Sequence, residues 1–199
     1  MKWLWFLAGL WLAGCTTPTP VPSIEPEQAW QVHKQHLAQL QEWHLSGRLA
    51  IINGEEVWNL NVRWQQKGGH YEIFLAGPFG SGQIKLVGDD GGGVILRDAE
   101  QHVYFAEQPE ELLYEHTGVR MPVTGLRYWI LGLPDPGKNH SSEIRLDGSG
   151  RLAHLRQRGW KVEFREYTLV NNWQLPEKLV ITHDDLKVLL VVHEWRLSS

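Results

Sequence analysis

The sequence predicts a mainly β fold: about ten antiparallel strands curled into an unclosed β-barrel, with about three helices covering the opening. Three observations predict it. Apolar residues recur with period two along most of the chain, as in "VWNLNVRWQ" (57–65), the pattern of a strand with one dry and one wet face. Turn pairs such as Gly68-Gly69 and Asp147-Gly148 break the runs at short intervals. Helical spacing is confined to three segments, and neither an internal repeat nor a βαβ succession is present.

The chain begins "MKWLWFLAGLWLAGC", with Lys2, an apolar run from Trp3 to Ala13, and then Gly14-Cys15. A positive start, a short apolar centre and small residues at its end describe an export signal, too short to stay as a membrane-spanning helix. Leu12-Ala13-Gly14-Cys15 resembles a bacterial lipoprotein signal, whose cysteine is acylated and becomes the first mature residue. Thr16, in place of aspartate, then implies sorting to the outer membrane. Cys15 is the only cysteine, so no disulfide staples the domain, and its position supports lipid attachment. The expected organisation is a signal over 1–14, a lipidated tether over 15–27 containing the Pro- and Thr-rich "TTPTPVPSIEPE", and one domain over 28–199. Without its signal the chain keeps 18 basic against 23 acidic residues, a net charge of −5.

In "PEQAWQVHKQHLAQLQEW" (26–43), Pro26 suits a first helical turn, and Trp30, His33, Leu37, Leu40 and Trp43 recur at helical spacing. The period then changes. Leu45, Gly47, Leu49 and Ile51 share one side of a strand, and Trp58, Leu60, Val62 and Trp64 share one side of the next. "HYEIFLAG", "GQIKLVG", "GVILRD" and "HVYFA" supply four more. Two helices follow: "QPEELLYEHTG" from Pro109 to Gly118 and "MPVTGLRYWILG" from Pro122 to Gly132. Strands resume with the hairpin 142–157, "WKVEFREYTL", and a final pair turning near His183-Asp184-Asp185. Curling protects the edges of so large a sheet, and helices at an incompletely closed mouth would cover its inner face. Such a shell is either filled solid or encloses a pocket; composition does not choose.

A formal net charge of −4 for the whole chain offers no general attraction for nucleic acid. Chemistry is absent too. His33 and His36 lack the acid of a zinc-protease motif, and His183-Asp184-Asp185 sits where a turn expects aspartate. Ser81 and Ser149 lie between glycines without a nucleophile elbow, and "GDDGGG" lacks the lysine and hydroxyl of a phosphate loop. No catalysis, metal or cofactor is expected. In "RLAHLRQRGWK", Arg151, Arg156, Arg158 and Lys161 surround Trp160; a solvated strand face is the first reading and lipid-headgroup contact the second. In "LAGPFGSG", Phe79 stands bare among glycines. Spacing alone favours an inward core ring there.

"WHLSGR" (43–48), Trp64-Gln65-Gln66, Gly77-Pro78-Phe79-Gly80, "MPVTGLRYWILGLP" (121–134), Gly159 to Val162, Leu175-Pro176 and Trp195 together resemble the LolB family of outer-membrane lipoprotein receptors. The resemblance spans Trp30 to Trp195. It implies an apolar cavity inside the barrel that receives acyl chains, candidate lining residues being Trp58, Leu60, Trp64, Ile73, Leu86, Leu126, Trp129 and Ile130. It implies an exposed membrane-insertion loop at Pro78, Phe79 and Gly80, where family members usually carry Leu at the Phe79 position. As partners it implies the soluble periplasmic carrier LolA, acylated lipoprotein cargo and outer-membrane phospholipids, with no nucleotide and no nucleic acid. The protein would be a monomer anchored through Cys15 in the inner leaflet of the outer membrane, its domain facing the periplasm. Two other readings are a structural envelope lipoprotein with a solid core that binds a protein partner, and a lipid-active hydrolase using Ser81 or His183.

Overall fold

The computed structural model describes residues 25–137 and 141–198. The signal, Cys15 and most of the tether lie outside the described residues.

Among the described residues eleven antiparallel strands form one sheet: β1 (Glu42–Asn53), β2 (Glu56–Lys67), β3 (His70–Ala76), β4 (Ile84–Gly88), β5 (Val94–Arg97), β6 (Val103–Ala106), β7 (Ser142–Leu146), β8 (Leu152–Gln157), β9 (Trp160–Val170), β10 (Trp173–His183) and β11 (Leu186–Leu197). Their spatial order is β6-β5-β4-β3-β2-β1-β11-β10-β9-β8-β7. Two meanders are therefore joined where β1 meets β11, and among the described residues β6 and β7 are the edge strands. The sheet is not closed. Helix α1 (Pro26–Leu37) precedes it, while α2 (Pro109–Thr117) and α3 (Val123–Trp129) fall in the chain between the two edge strands.

The central pair shows how sequence sets curvature. Leu45, Leu49 and Ile51 of β1 are buried, and the register with β11 shifts between Ser46 and Gly47. On β11 the inward phase accordingly changes, with Val188, Leu190 and Val192 buried before the shift and Trp195 after it. Gly47 is required here by contact, since a Cβ would lie 2.2 Å from the Val191 carbonyl oxygen.

The first helix stops earlier than its spacing predicts. It ends at Leu37, and Trp43 belongs to β1. There the indole takes an inward position between Trp64 and Trp195, with ring centroids 5.7 and 5.6 Å away. Burial among two other indoles outweighs continuation of a helix whose face was already satisfied by Trp30 and Leu37. α1 is fixed over one end of the barrel by Gly150, whose absent side chain admits Ala29, and by His36 stacked on Trp173 at 3.9 Å.

A single apolar cluster extends from Trp30 to Trp195 and includes Leu112 and Leu113 of α2 and Val123, Leu126 and Trp129 of α3. Among the described residues three polar ones, Gln66, Asp135 and Gln157, are buried with it, Gln157 the most deeply. Gln157 accepts the Trp129 indole N–H at 3.0 Å and the Asp135 backbone N–H at 2.9 Å, and donates to the Asp135 carbonyl at 2.8 Å. It ties the end of α3 to β8.

Candidate functional site

The helices α2 and α3 are the cover of the sheet's inner face. Pro109 starts α2, and Gly118 ends it with φ 71°. Leu112 and Leu113 turn inward, while Glu110 accepts the Thr124 backbone N–H at 2.7 Å and so caps the start of α3 from its neighbour. Arg127 of α3 pairs with Asp90 on the β4–β5 turn. Burial disfavours the Arg127 charge, but the Asp90 hydrogen bond and the adjacent Tyr128 raise it above its usual value on balance. Beneath them Tyr71 is buried, and desolvation together with the Glu110 charge pushes its phenol up to about 12.

Between these helices and the tips of the β1–β2 and β10–β11 hairpins lies a cleft of about 1250 Å³. Its wall holds eight acidic side chains, Asp90, Glu110, Glu111 and Asp184 among them, against three arginines. A second cavity lies behind this mouth. It is lined by thirteen apolar residues and holds only about 40 Å³, room for about one water molecule. Met121 and Val123 border both spaces, so the segment that leads into α3 is the partition between wet cleft and dry interior.

The cavity implied by the resemblance is thus reduced, in this arrangement, to a residual void. Apolar side chains fill the interior because a dry gap would forfeit their mutual contacts. Of the eight candidate lining residues, Trp64, Ile73, Leu86, Leu126 and Ile130 surround the void. Trp129 is fully buried but borders the wet cleft, with its ring 6.3 Å from Trp160. Trp58 and Leu60 are half-buried at the margin of the core and line neither space. Leu45, Leu49 and Val62 line the void without having been singled out. Their inward phase along β1 and β2 was the signal.

Phe79 points outward, contrary to the spacing-only reading. Its side chain is fully exposed, at 109% of the reference area. The loop forces this orientation: Pro78–Gly80 form a single 3₁₀ turn with Phe79 itself at φ 57°, ψ 20°. The Gly77 N–H donates to the Ser81 carbonyl at 2.8 Å, and the Ser81 hydroxyl donates to the Pro78 carbonyl at 3.0 Å. A Cβ on Gly77 would lie 2.7 Å from that hydroxyl oxygen.

The basic segment after the β7–β8 turn is largely neutralised. Arg151 pairs with Asp147 at 2.6 Å, Arg158 with Asp135 at 2.7 Å and Arg156 with Glu143 at 3.6 Å. Lys161 is exposed and faces Arg156 across β8–β9. The two residues of the hydrolase reading are also engaged separately, Ser81 with its own turn and His183 with Asp184 at 3.0 Å. Among the described residues one trio, Asp98, Glu100 and His102, brings three ligand atoms within 4.8 Å. Asp98 is already bonded by the His102 backbone and ring and by Tyr104, which accounts for the trio as a turn.

A family model described as "Outer membrane lipoprotein LolB" matches residues 41–195. The chain belongs to the LolB family. The resemblance drawn from the tryptophan, proline and glycine motifs is borne out. Among similar proteins, the "Outer-membrane lipoprotein LolB" of Nitrosococcus oceani is 38% identical over 203 residues, covering 100% of both chains. That of Pseudomonas aeruginosa is 39% identical over 188 residues, covering 93% of this chain and 90% of its own. Among solved structures, a LolA superfamily protein from Nitrosomonas europaea shares the fold with a TM-score of 0.53 at 5% identity, over 88% of this chain and 94% of its own. A DUF1329 family protein from Desulfovibrio piger gives 0.54 at 10% identity over the same shares. The LolB-family chain thus has a mainly β, unclosed fold in common with LolA superfamily proteins.

Proposed function

We propose that this protein accepts acylated lipoproteins from a soluble periplasmic carrier of the LolA type and inserts them into the outer membrane without nucleotide. The observation that carries this reading is a dry apolar interior beside a wide cleft, with Met121 and Val123 bordering both. Burial is worth about 0.8 kcal/mol per methylene, so exposing an acyl chain of about sixteen carbons costs on the order of 12 kcal/mol. Direct passage between two protein mouths avoids that state. The chains enter as α2 and α3 swing away and displace the side chains that now meet around the void.

The eight acidic side chains at the cleft favour a carrier whose docking rim is basic. Onward transfer runs downhill because a bilayer accepts every chain fully, whereas the protein must order itself around each one. In this reading residues 1–14 are removed, Cys15 carries the lipid, 15–27 form the tether and 28–199 are one domain. The domain faces the periplasm from the inner leaflet, works as a monomer and performs no catalysis.

Labelled lipoprotein loaded on the carrier, mixed with this protein and then with liposomes in the absence of nucleotide, tests the proposal. Label moves first to the protein and then to the liposomes. Saturable uptake that never leaves the protein, or none at all, overturns it; the latter result would favour a solid-core structural lipoprotein.

A further inference from the structure

The outer face of β2–β6 differs in chemistry from the mouth on the opposite side of the sheet. Register places Arg63, Phe74, Lys85, Arg97 and Val103 side by side across five strands. The neighbouring row is Gln65, Glu72, Val87, Ile95 and Phe105. Both rows alternate with the inward residues Ile73, Leu86, Val94 and Leu96, so they face away from α2 and α3. Arg63 lies over the Phe74 ring at 4.5 Å. Ile95, Val103 and Phe105 are exposed, the last at 71%.

A shallow depression of about 430 Å³ runs among Phe74, Gln83, Lys85, Ile95 and Arg97. Gln83 belongs to the same β3–β4 connection as Phe79, so one loop carries both a wall of the depression and the uncovered ring. Two acids lie on this face. Glu72 is paired with Lys85 at 2.7 Å, and Asp98 is held by His102 and Tyr104. Arg63 and Arg97 have no carboxylate partner among the described residues; Arg97 meets only the Gln101 amide oxygen at 3.5 Å.

We propose that this outer face is the membrane-docking surface and that its partner is an anionic phospholipid bilayer. The proposal rests on the insertion reading above and extends it from one ring to a face. Exposed rings interleaved with unpaired cations are what the headgroup region of an anionic membrane selects. The same negative surface repels the acidic cleft on the concave side. The bilayer therefore holds the domain by its outer face and leaves the mouth turned toward the aqueous side, where a carrier arrives. Phe79 then enters the lipid at the margin of a docked surface and does not have to hold the domain alone.

The full chain acylated at Cys15 is placed in vesicles of phosphatidylcholine alone or with about one-third phosphatidylglycerol. One fluorophore is carried on Ile95→Cys or on Ser81→Cys, and a quencher on the lipid headgroups. We expect the Ile95 position to be quenched only in the anionic vesicles and released by high salt. Arg63→Gln with Arg97→Gln lowers the docked-to-free ratio about tenfold, with an unchanged thermal midpoint. The Ser81 position is quenched in both vesicle types. Quenching at Ile95 that ignores both lipid charge and the double substitution overturns the docking face while leaving the loop's insertion standing. Absence of quenching at both positions overturns the loop reading as well. Loss of lipoprotein delivery in the double variant without any quenching at Ile95 overturns lipid docking in favour of an acidic protein partner on this face.

Discussion

Arg127 on α3 reaches the Asp90 carboxylate on the β4–β5 turn and links the helical cover to the sheet at the edge of the mouth. Asp90 is half exposed while Arg127 is mostly buried, so the pair contributes little to global stability, about 1 kcal/mol or less. Its effect is on the cover. Asp90→Asn is expected to leave the thermal midpoint nearly unchanged and to increase uptake of an apolar fluorescent probe several-fold. Unchanged uptake in a probe titration would place the opening hinge away from α3.

Phe79 gives a prediction in which stability and function separate. A non-glycine residue at φ 57°, ψ 20° sits in the left-handed region at a cost of about 1 kcal/mol, and its ring buries nothing in return. Phe79→Gly relieves that strain, although it also loosens the unfolded chain by a part of the same amount. Thermal stability is expected to hold or rise slightly while delivery of lipoprotein to liposomes falls. Phe79→Glu should likewise fold and accept cargo but deliver poorly. A midpoint lowered by several degrees in either variant would mean that the ring packs against the domain.

Much of the fold was legible because period-two alternation and turn residues are local signals. Trp64, Ile73 and Leu86 declared their inward face by that rule, as did the caps at Pro109 and Gly118. Trp43 did not, because the five positions from Trp30 to Trp43 fit a helix as well as a strand start, and the distant Trp64 and Trp195 decide between them. Phe79 was misread from spacing for a related reason: whether a ring in a glycine turn points in or out depends on a φ angle that the neighbours Gly77 and Ser81 impose. The acidic cleft was invisible, since its charges come from segments as far apart as Asp90 and Asp184.

Gln157 is expected to be the most sensitive polar residue of the core. It is 2% exposed and serves Trp129 and both backbone groups of Asp135. Gln157→Leu matches its bulk but leaves a buried indole N–H, a backbone N–H and a carbonyl without partners. Each such orphan costs roughly 1–3 kcal/mol, with part regained by relaxation, so a loss of about 3 kcal/mol in urea unfolding is expected. A loss below about 0.5 kcal/mol, the level of an ordinary surface change, would mean that water or a rearranged Trp129 replaces the network.

His33 on α1 sets a pH dependence with a definite sign. Its Nε2 is buried without a partner. Burial, then the charges of Arg151 and His36, lower its pKa from 6.5, with Asp147 opposing. The unfolded chain therefore takes up a proton at a pH where the folded protein does not. Stability is at its full value above 6.5, falls as pH drops through that value, and levels off below the depressed folded pKa. The lowered carboxylate of Asp147 acts in a separate window: desolvation raises it, but hydrogen bonds from the Arg151 backbone and side chain and from Ser149 outweigh that, so its contribution is lost only below its ordinary 3.8. His33→Leu keeps the helical position and the buried face while removing the titrating ring. Urea midpoints taken from about pH 7.5 down to about pH 5 should decline for the parent and stay flatter for the variant, with the two proteins alike in their further loss in stronger acid. Parallel curves through that upper range would assign the decline to another histidine.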